Sequence, residues 1–322
     1  MNRAAMPAGR PPRLDPPARA SVERFRQVEH DRTIVFGRGA IEAAGDLLGD
    51  GFVLLSTPRG RASAPEVVER AAAVIDVPDG RVDELAAELR GSAARGRLVG
   101  LGGGRVIDVA KALAAADEPR GVVAIPTTLS AAEMTGFHRQ AGGVRPDARH
   151  VRPAVVINDP RLSGSQPVAQ LAASTGNALG HAVVAVFSVR SNPVARAVGR
   201  AAVGHLVSGW AGREPDREEL ALGALLGGWA VDQSGLGPHH AICQTLARIA
   251  GVGHGRANVT MLESSVAGIR RRRPEGVEQL ESELGVDVEA FARTLRGRAG
   301  AGAIEALHED PGLLERVIGA AE

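Results

Sequence analysis

The chain has 322 residues, 44% apolar and 23% charged, enough to bury a sizeable core in one large domain or two medium ones. Lys+Arg 38 against Asp+Glu 37 leaves a formal net charge of +1, so no global field draws the protein to nucleic acid or an acidic membrane. One cysteine, Cys243, excludes a disulfide framework and a thiolate metal cluster, and the apolar run ending at Val231 is too short to span a bilayer. A cytoplasmic protein without nucleic-acid or membrane partners is the expectation.

Residues 1–22 are rich in Pro, Arg and Ala, lack an apolar signal-peptide segment, and read as a disordered tail. From Thr33 to about Asp159, short apolar runs alternate with helical stretches. Phe52–Ser56 reads as a buried strand, followed by a predicted helix over 65–74. Leu98–Leu101 is a second strand, ending in Gly102-Gly103-Gly104 and a helix over about 105–116. Val122–Ile125, closed by Pro126, and Val155–Ile157 are two more strands. Continuously apolar strands separated by helices predict a parallel sheet covered on both faces. After Asp159-Pro160 the pattern is helical, with breaks at 191–193, 213–215 and 270–274. The expected organisation is an α/β domain over 23–162 and a helical domain over 163–322, with a cleft between them.

Strand, triple glycine and helix form a phosphate-binding arrangement, because the backbone can approach closely and the helix start offers free N–H donors. The segment 102–111 reads GGGRVIDVAK, with Asp108 and Lys111 three apart on one helical face. Lys111 is the lone lysine among 37 arginines, in a chain with no tyrosine. Its survival here points to a nucleotide site, with the ammonium beside a ribose or nicotinamide. The following loop, IPTTLSAAEMT at 125–135, supplies hydroxyls from Thr127 and Thr128 to the same cleft. It also reads as a helix cap, with Ser130 at the N-cap and Glu133 at the third position.

Among nine histidines, His181 lies four residues after Asn177 on one predicted helix face, His240 follows a Gly-Pro break, and His254 stands 14 residues further on. This set reads as a cage for a divalent ion or for a polarised substrate oxygen. His239 and His240 diverge by about 100° on a helix, so only one of them is expected to face the cleft.

In this order, these segments resemble the iron-containing alcohol dehydrogenase superfamily, and within it the maleylacetate reductases. GGGRVIDVAK resembles the motif GGGSxxDxAK, and IPTTLSAAEMT resembles IPTTxxGSEMT. The stretches Leu55–Pro58, Asn158–Leu162, Ser174–Val183 and His239–Cys243 carry the likeness to the reductases. The resemblance implies a dehydroquinate synthase-like fold: an α/β N-terminal nucleotide-binding domain with a parallel sheet, and an all-α C-terminal domain. It also implies hydride transfer with NAD or NADP, and a homodimer.

By resemblance, Gly102, Gly103 and Gly104 hold the pyrophosphate, while Asp108, Lys111, Thr127 and Thr128 line the cofactor site. The metal-ligand positions fall on Asn177, His181, His240 and His254, with Fe or Zn as the candidate ion. Three departures stand out: Asn177 replaces an aspartate, Gln244 replaces a histidine, and Ala131-Ala132 replaces Gly-Ser. Gln244 joins His181 and His240 as a catalytic candidate, although an amide cannot shuttle a proton near neutral pH. Ser56 and Arg59 follow a strand with no acidic residue to repel a 2′-phosphate, and Arg59 can pair with one, so NADP is expected to be accepted.

The expected reaction interconverts a carbonyl and a secondary alcohol on a small-molecule or peptide substrate, either a small acid or a specialised metabolite. Oxidation and decarboxylation of a β-hydroxy acid, such as a peptide's C-terminal threonine, is an alternative. So are a non-redox lyase or cyclase on the same scaffold, and a catalytically dead binding subunit.

Overall fold

The computed structural model describes residues 22–92, 96–116, 120–145, 147–304, 307 and 310–320. The tail expected over 1–22 therefore lies, Val22 apart, outside the described residues.

Seven strands form one sheet: β1 Phe25–Glu29, β2 Arg32–Phe36, β3 Phe52–Ser56, β4 Ala71–Asp76, β5 Leu98–Gly102, β6 Val122–Pro126 and β7 Val155–Asn158. Their spatial order is β1-β2-β7-β6-β5-β3-β4. Only the β1–β2 hairpin is antiparallel; all other pairings are parallel. The helices of this half are α1 Ala40–Ala43, α2 Gly45–Leu48, α3 Pro58–Ser63, α4 Pro65–Val68, α5 Val82–Leu89 and α6 Gly104–Ala116.

Because side chains alternate across a strand, β3 sends Phe52 and Leu54 to one face of the sheet and Val53 and Leu55 to the other. The first pair packs with Val99, Leu101, Ile125 and Ile157. The second packs with Leu98, Val106, Leu113 and Val122. Both faces are thus covered, as the continuous apolar runs predict.

The helix predicted over 65–74 is a correction. Only Pro65–Val68 is helical, and Ala71–Asp76 is the edge strand β4. Ala71–Ala73 are good helix formers, but pairing with β3 overrides that preference. The alternating burial of β4 leaves Val74 43% exposed, as an outermost strand permits.

From Val168 onward the described residues contain helices and no strand. These are α7 Val168–Phe187, α8 Pro193–Ser208, α9 Arg217–Ser234, α10 Pro238–Ile249, α11 His254–Arg272, α12 Pro274–Leu284, α13 Val288–Arg298 and α14 Pro311–Gly319. The breaks expected at 191–193 and 213–215 fall where Asn192 caps α8 and Asp216 caps α9, whereas the one expected over 270–274 shrinks to Arg273, because Arg270–Arg272 end α11 and Pro274 opens α12. Helix α7 is buried along most of its length, and its Leu171, Leu179 and Val183 share a core with Leu206, Leu220 and Val259. The same core takes in Ile34, Phe36 and Val156 from the sheet, which seats β2 and β7 against the helical half. No helix among the described residues is long and apolar enough to cross a membrane.

Candidate active site

The chain passes from β3 out to β4, then returns to the other side of β3 to lay down β5, β6 and β7. The strand order therefore reverses between β3 and β5. In open parallel sheets the crevice at such a reversal, beyond the carboxyl ends of the strands, is where ligands bind. Ser56 ends β3 and Gly102 ends β5, so the segments expected to hold the cofactor leave the sheet on either side of this crevice.

Helix α6 starts at Gly104, and its first N–H groups have no acceptor within the helix. The loop after β6 presses directly against this turn. A Cβ on Gly103 would come within 3.2 Å of Thr128, and one on Gly104 within 2.9 Å of Ser130, so larger residues would push the loop away. Thr127 donates its N–H to Gly102 and is buried, whereas the side chain of Thr128 stands half-buried at the turn.

Lys111, expected beside a ribose or nicotinamide, is tied into the protein itself. It is fully buried, and its ammonium donates to Asp108 Oδ1 at 2.8 Å, to the Ala132 carbonyl at 3.0 Å and to the Phe137 carbonyl at 2.7 Å. Three donors meet three acceptors, and the loop is tied to α6. Ser56 is likewise fully buried, and its hydroxyl donates to the Leu101 carbonyl at 2.7 Å. Arg59, on α3, remains at the exposed rim, where it donates to Gln170 at 3.1 Å.

The capping box expected at Ser130 and Glu133 does not form, since no helix starts there. Ala131 takes a φ of +62°, which turns the chain away from a helical path. The Ser130 carbonyl instead accepts from Asn177 Nδ2 at 3.3 Å, and Ser174 Oγ accepts from the Leu129 N–H at 2.9 Å. Glu133 is buried with neither carboxyl oxygen hydrogen-bonded, and desolvation pushes its pKa up to about 7, against the pull of Lys111. The sequence pattern points to Glu133 only as part of a helix cap, not as a buried carboxyl without a partner.

Through Ser130 and Asn177 the loop reaches the imidazoles. His181 lies one turn after Asn177 on α7 and stacks on His240 of α10, with ring centroids 4.3 Å apart and planes 8° from parallel. A Cβ on Gly180 would fall 2.9 Å from His239 and 3.3 Å from His240, so glycine lets α10 come this close. His239 turns the other way, as expected for its neighbour in a helix. Its Nδ1 lies 2.8 Å from Ser265 Oγ, whose own proton goes to the Met261 carbonyl, so Nδ1 is assigned as the donor. Burial holds His181 down to about 3, His239 to about 4, and His240 well below the ordinary imidazole value, with the neighbouring rings adding to the effect. All three are neutral at physiological pH. His181 Nδ1, both ring nitrogens of His240 and Asn177 Oδ1 are buried without a hydrogen-bond partner.

His254 opens α11 at the exposed mouth of the cleft, where its Nε2 lies 3.1 Å from Asn258 Nδ2. Gln244 is one turn past His240 on α10 but exposed, so it does not join the buried imidazoles.

A resident divalent ion does not fit this arrangement. Stacked imidazoles aim their in-plane lone pairs side by side instead of at one point about 2.1 Å away. Asn177 adds no charge, and no group of three or more His, Cys, Asp or Glu side chains among the described residues is placed to hold a metal.

Residues 31–160 match the iron-containing alcohol dehydrogenase family, and residues 171–316 match the Fe-containing alcohol dehydrogenase family, C-terminal. A maleylacetate reductase of Pseudomonas aeruginosa is 30% identical over 256 residues, covering 74% of this chain and 72% of that protein. The crystal structure of maleylacetate reductase from Rhizobium sp. strain MTP-10005 superposes with a TM-score of 0.75 at 26% identity, over 93% of this chain and 91% of the other. Sulfoacetaldehyde reductase from Bifidobacterium kashiwanohense, solved in complex with NAD+, shares the fold: TM-score 0.75, 20% identity, 92% of each chain. The chain belongs to the iron-containing alcohol dehydrogenase family. It is an NAD(P)-dependent oxidoreductase of the maleylacetate reductase-like kind.

Proposed function

We propose that the protein interconverts a carbonyl and a secondary alcohol on a small acid or specialised metabolite, with residues 23–162 carrying the nucleotide and 163–322 the substrate. The observation that carries this reading is the stacked His181–His240 pair, neutral, buried and with unpaired nitrogens, joined through Asn177 and Ser130 to the glycine turn.

The nicotinamide cofactor, when bound, supplies or accepts the hydride. Gly102–Gly104 and the start of α6 would receive its pyrophosphate, with Thr128 beside them. Reduction of a substrate carbonyl would gather negative charge on its oxygen. Each neutral imidazole carries one N–H, and the unpaired nitrogens of His181 and His240 can direct these donors to that oxygen in a site closed to water. Asn177 Nδ2 is already committed to the loop, so it positions the loop while its Oδ1 remains open to a substrate hydroxyl. Arg59, the exposed cation beside the β3 end, would meet a 2′-phosphate, so NADP is accepted.

Titration of the intact protein with NADPH and NADH, followed by the fluorescence of the bound reduced cofactor, tests the reading. Arg59→Ala is expected to weaken NADPH roughly tenfold and leave NADH unchanged. Absence of binding by either cofactor would remove the oxidoreductase proposal, and equal effects on both would remove the role of Arg59.

A further inference from the structure

A second cavity, of about 410 Å³, opens where the end of α7 meets α8 and the α11–α12 junction. It lies far from the imidazoles: Arg272 follows His254 by about 27 Å along α11, at 1.5 Å per residue. Four guanidinium groups line it, from Arg196, Arg200, Arg272 and Arg273, opposed by the single carboxylate of Glu275. Elsewhere in the helical half some arginines have acid partners, as Arg293 does with Glu263 and Arg316 with Asp310. Arg200 is paired with Glu283, but among the described residues Arg196, Arg272 and Arg273 form no ion pair. Like charges converging without counter-charges raise the local potential unless an anion arrives.

The wall between them adds donors. Helix α12 begins at Pro274, and its N-cap, Arg273, makes no side-chain cap, so the N–H groups of Glu275 and Gly276 have no acceptor from the helix. A helix start flanked by guanidinium groups is matched to a phosphate, which accepts from both. Phe187 and Val186 supply an apolar floor: Phe187 lies 3.2 Å from where a Cβ on Gly276 would stand, so a side chain there would narrow the cavity. The volume is that of a small-molecule site, larger than a bare ion needs.

We propose that this cavity binds an organic phosphate, its phosphoryl group held by Arg196, Arg272, Arg273 and the start of α12, and its apolar part resting on Phe187. Phenyl phosphate is the probe, measured by calorimetry on the full chain. Saturable binding is expected, roughly tenfold tighter than that of inorganic phosphate, persisting in saturating NADP+ and weakening as salt rises. The double change Arg272→Glu/Arg273→Glu, and separately Arg196→Glu, should each raise Kd at least tenfold with unchanged circular dichroism. Arg271→Glu, beside the cavity and outside its lining, should leave Kd as it is. No saturable binding, displacement by NADP+, equal affinity for inorganic phosphate, or an equal loss in Arg271→Glu would each overturn the assignment.

Discussion

Lys111 and His240 are both buried polar residues on the cleft side of the molecule, and they are treated in opposite ways. The ammonium of Lys111 meets three acceptors within 3.0 Å, whereas both nitrogens of His240 meet none. A buried donor or acceptor left without a partner costs about 1–3 kcal/mol, so the first cluster adds to stability and the second detracts from it. The satisfied cluster is scaffold. On the function proposed above, the unsatisfied one receives a group that arrives with the substrate.

This contrast is broken most directly at Lys111. Lys111→Met keeps the volume but leaves two carbonyls and Asp108 without their cation, and is expected to cost about 4 kcal/mol. Urea unfolding measures it; a loss below 1 kcal/mol would mean the ammonium is not the tie between α6 and the loop. His240→Ala should behave in the reverse sense. Turnover should fall about a hundred- to a thousandfold, as when one donor to a developing oxyanion is removed, while the urea midpoint stays level or rises. If stability falls and turnover is retained, His240 is scaffold as well.

Much of the sheet was legible because β3, β5, β6 and β7 are continuous apolar runs, and the glycine turn because glycine clusters have few other uses at a strand end. The β1–β2 hairpin and β4 were not. Arg26, Gln27 and Glu29 hide the first, and its turn places His30 at a φ of +54°, where asparagine or glycine is the usual signal. Alanine hides β4. At the site, the four-residue spacing of Asn177 and His181 was readable, because one helix holds both. The tasks of Lys111, Ser56 and Glu133 were not, since each depends on where a loop without regular structure closes. Gln244 shows the limit of spacing arguments: it shares a face with His240, yet one turn further along α10 that face is already in solvent.

Glu133 sharpens the contrast through pH. Its pKa is about 7 in the folded chain, against 4.5 in the unfolded one. Between these values the native state holds a proton that the unfolded state has lost, so this group lowers stability as pH rises from 4.5 to 7, and the loss is complete above that. Glu133→Gln removes the ionisation but leaves a buried amide to satisfy, giving a net gain on the order of 2 kcal/mol at pH 8 and little change at pH 5. Thermal melts of both proteins at the two pH values test this; parallel stability–pH curves would show that Glu133 titrates normally. The buried imidazoles act oppositely, because depressed values near 3 and 4 make the unfolded chain the better proton acceptor as pH falls below 6.5. The variant's remaining pH dependence should therefore rise monotonically from acid to neutral.

The smallest expected effect lies in the loop joining the two clusters. Ala131 stands where the family motif has glycine, and it keeps the left-handed backbone, φ +62°, that glycine adopts freely. An L side chain in that region costs about 1–2 kcal/mol, while glycine adds about 0.5–1 kcal/mol of chain entropy on unfolding. The balance favours Ala131→Gly by about 0.5–1 kcal/mol, less whatever the Ala131 methyl gains by packing over Gly228, where an added Cβ would lie 2.7 Å away. That contact holds the loop against α9, and the loop carries the two carbonyls that accept from Lys111 and the carbonyl that binds Asn177. The variant should thus be slightly more stable in urea yet turn over more slowly. Gains in both would show that the methyl contributes nothing to holding the histidine side of the cleft in place.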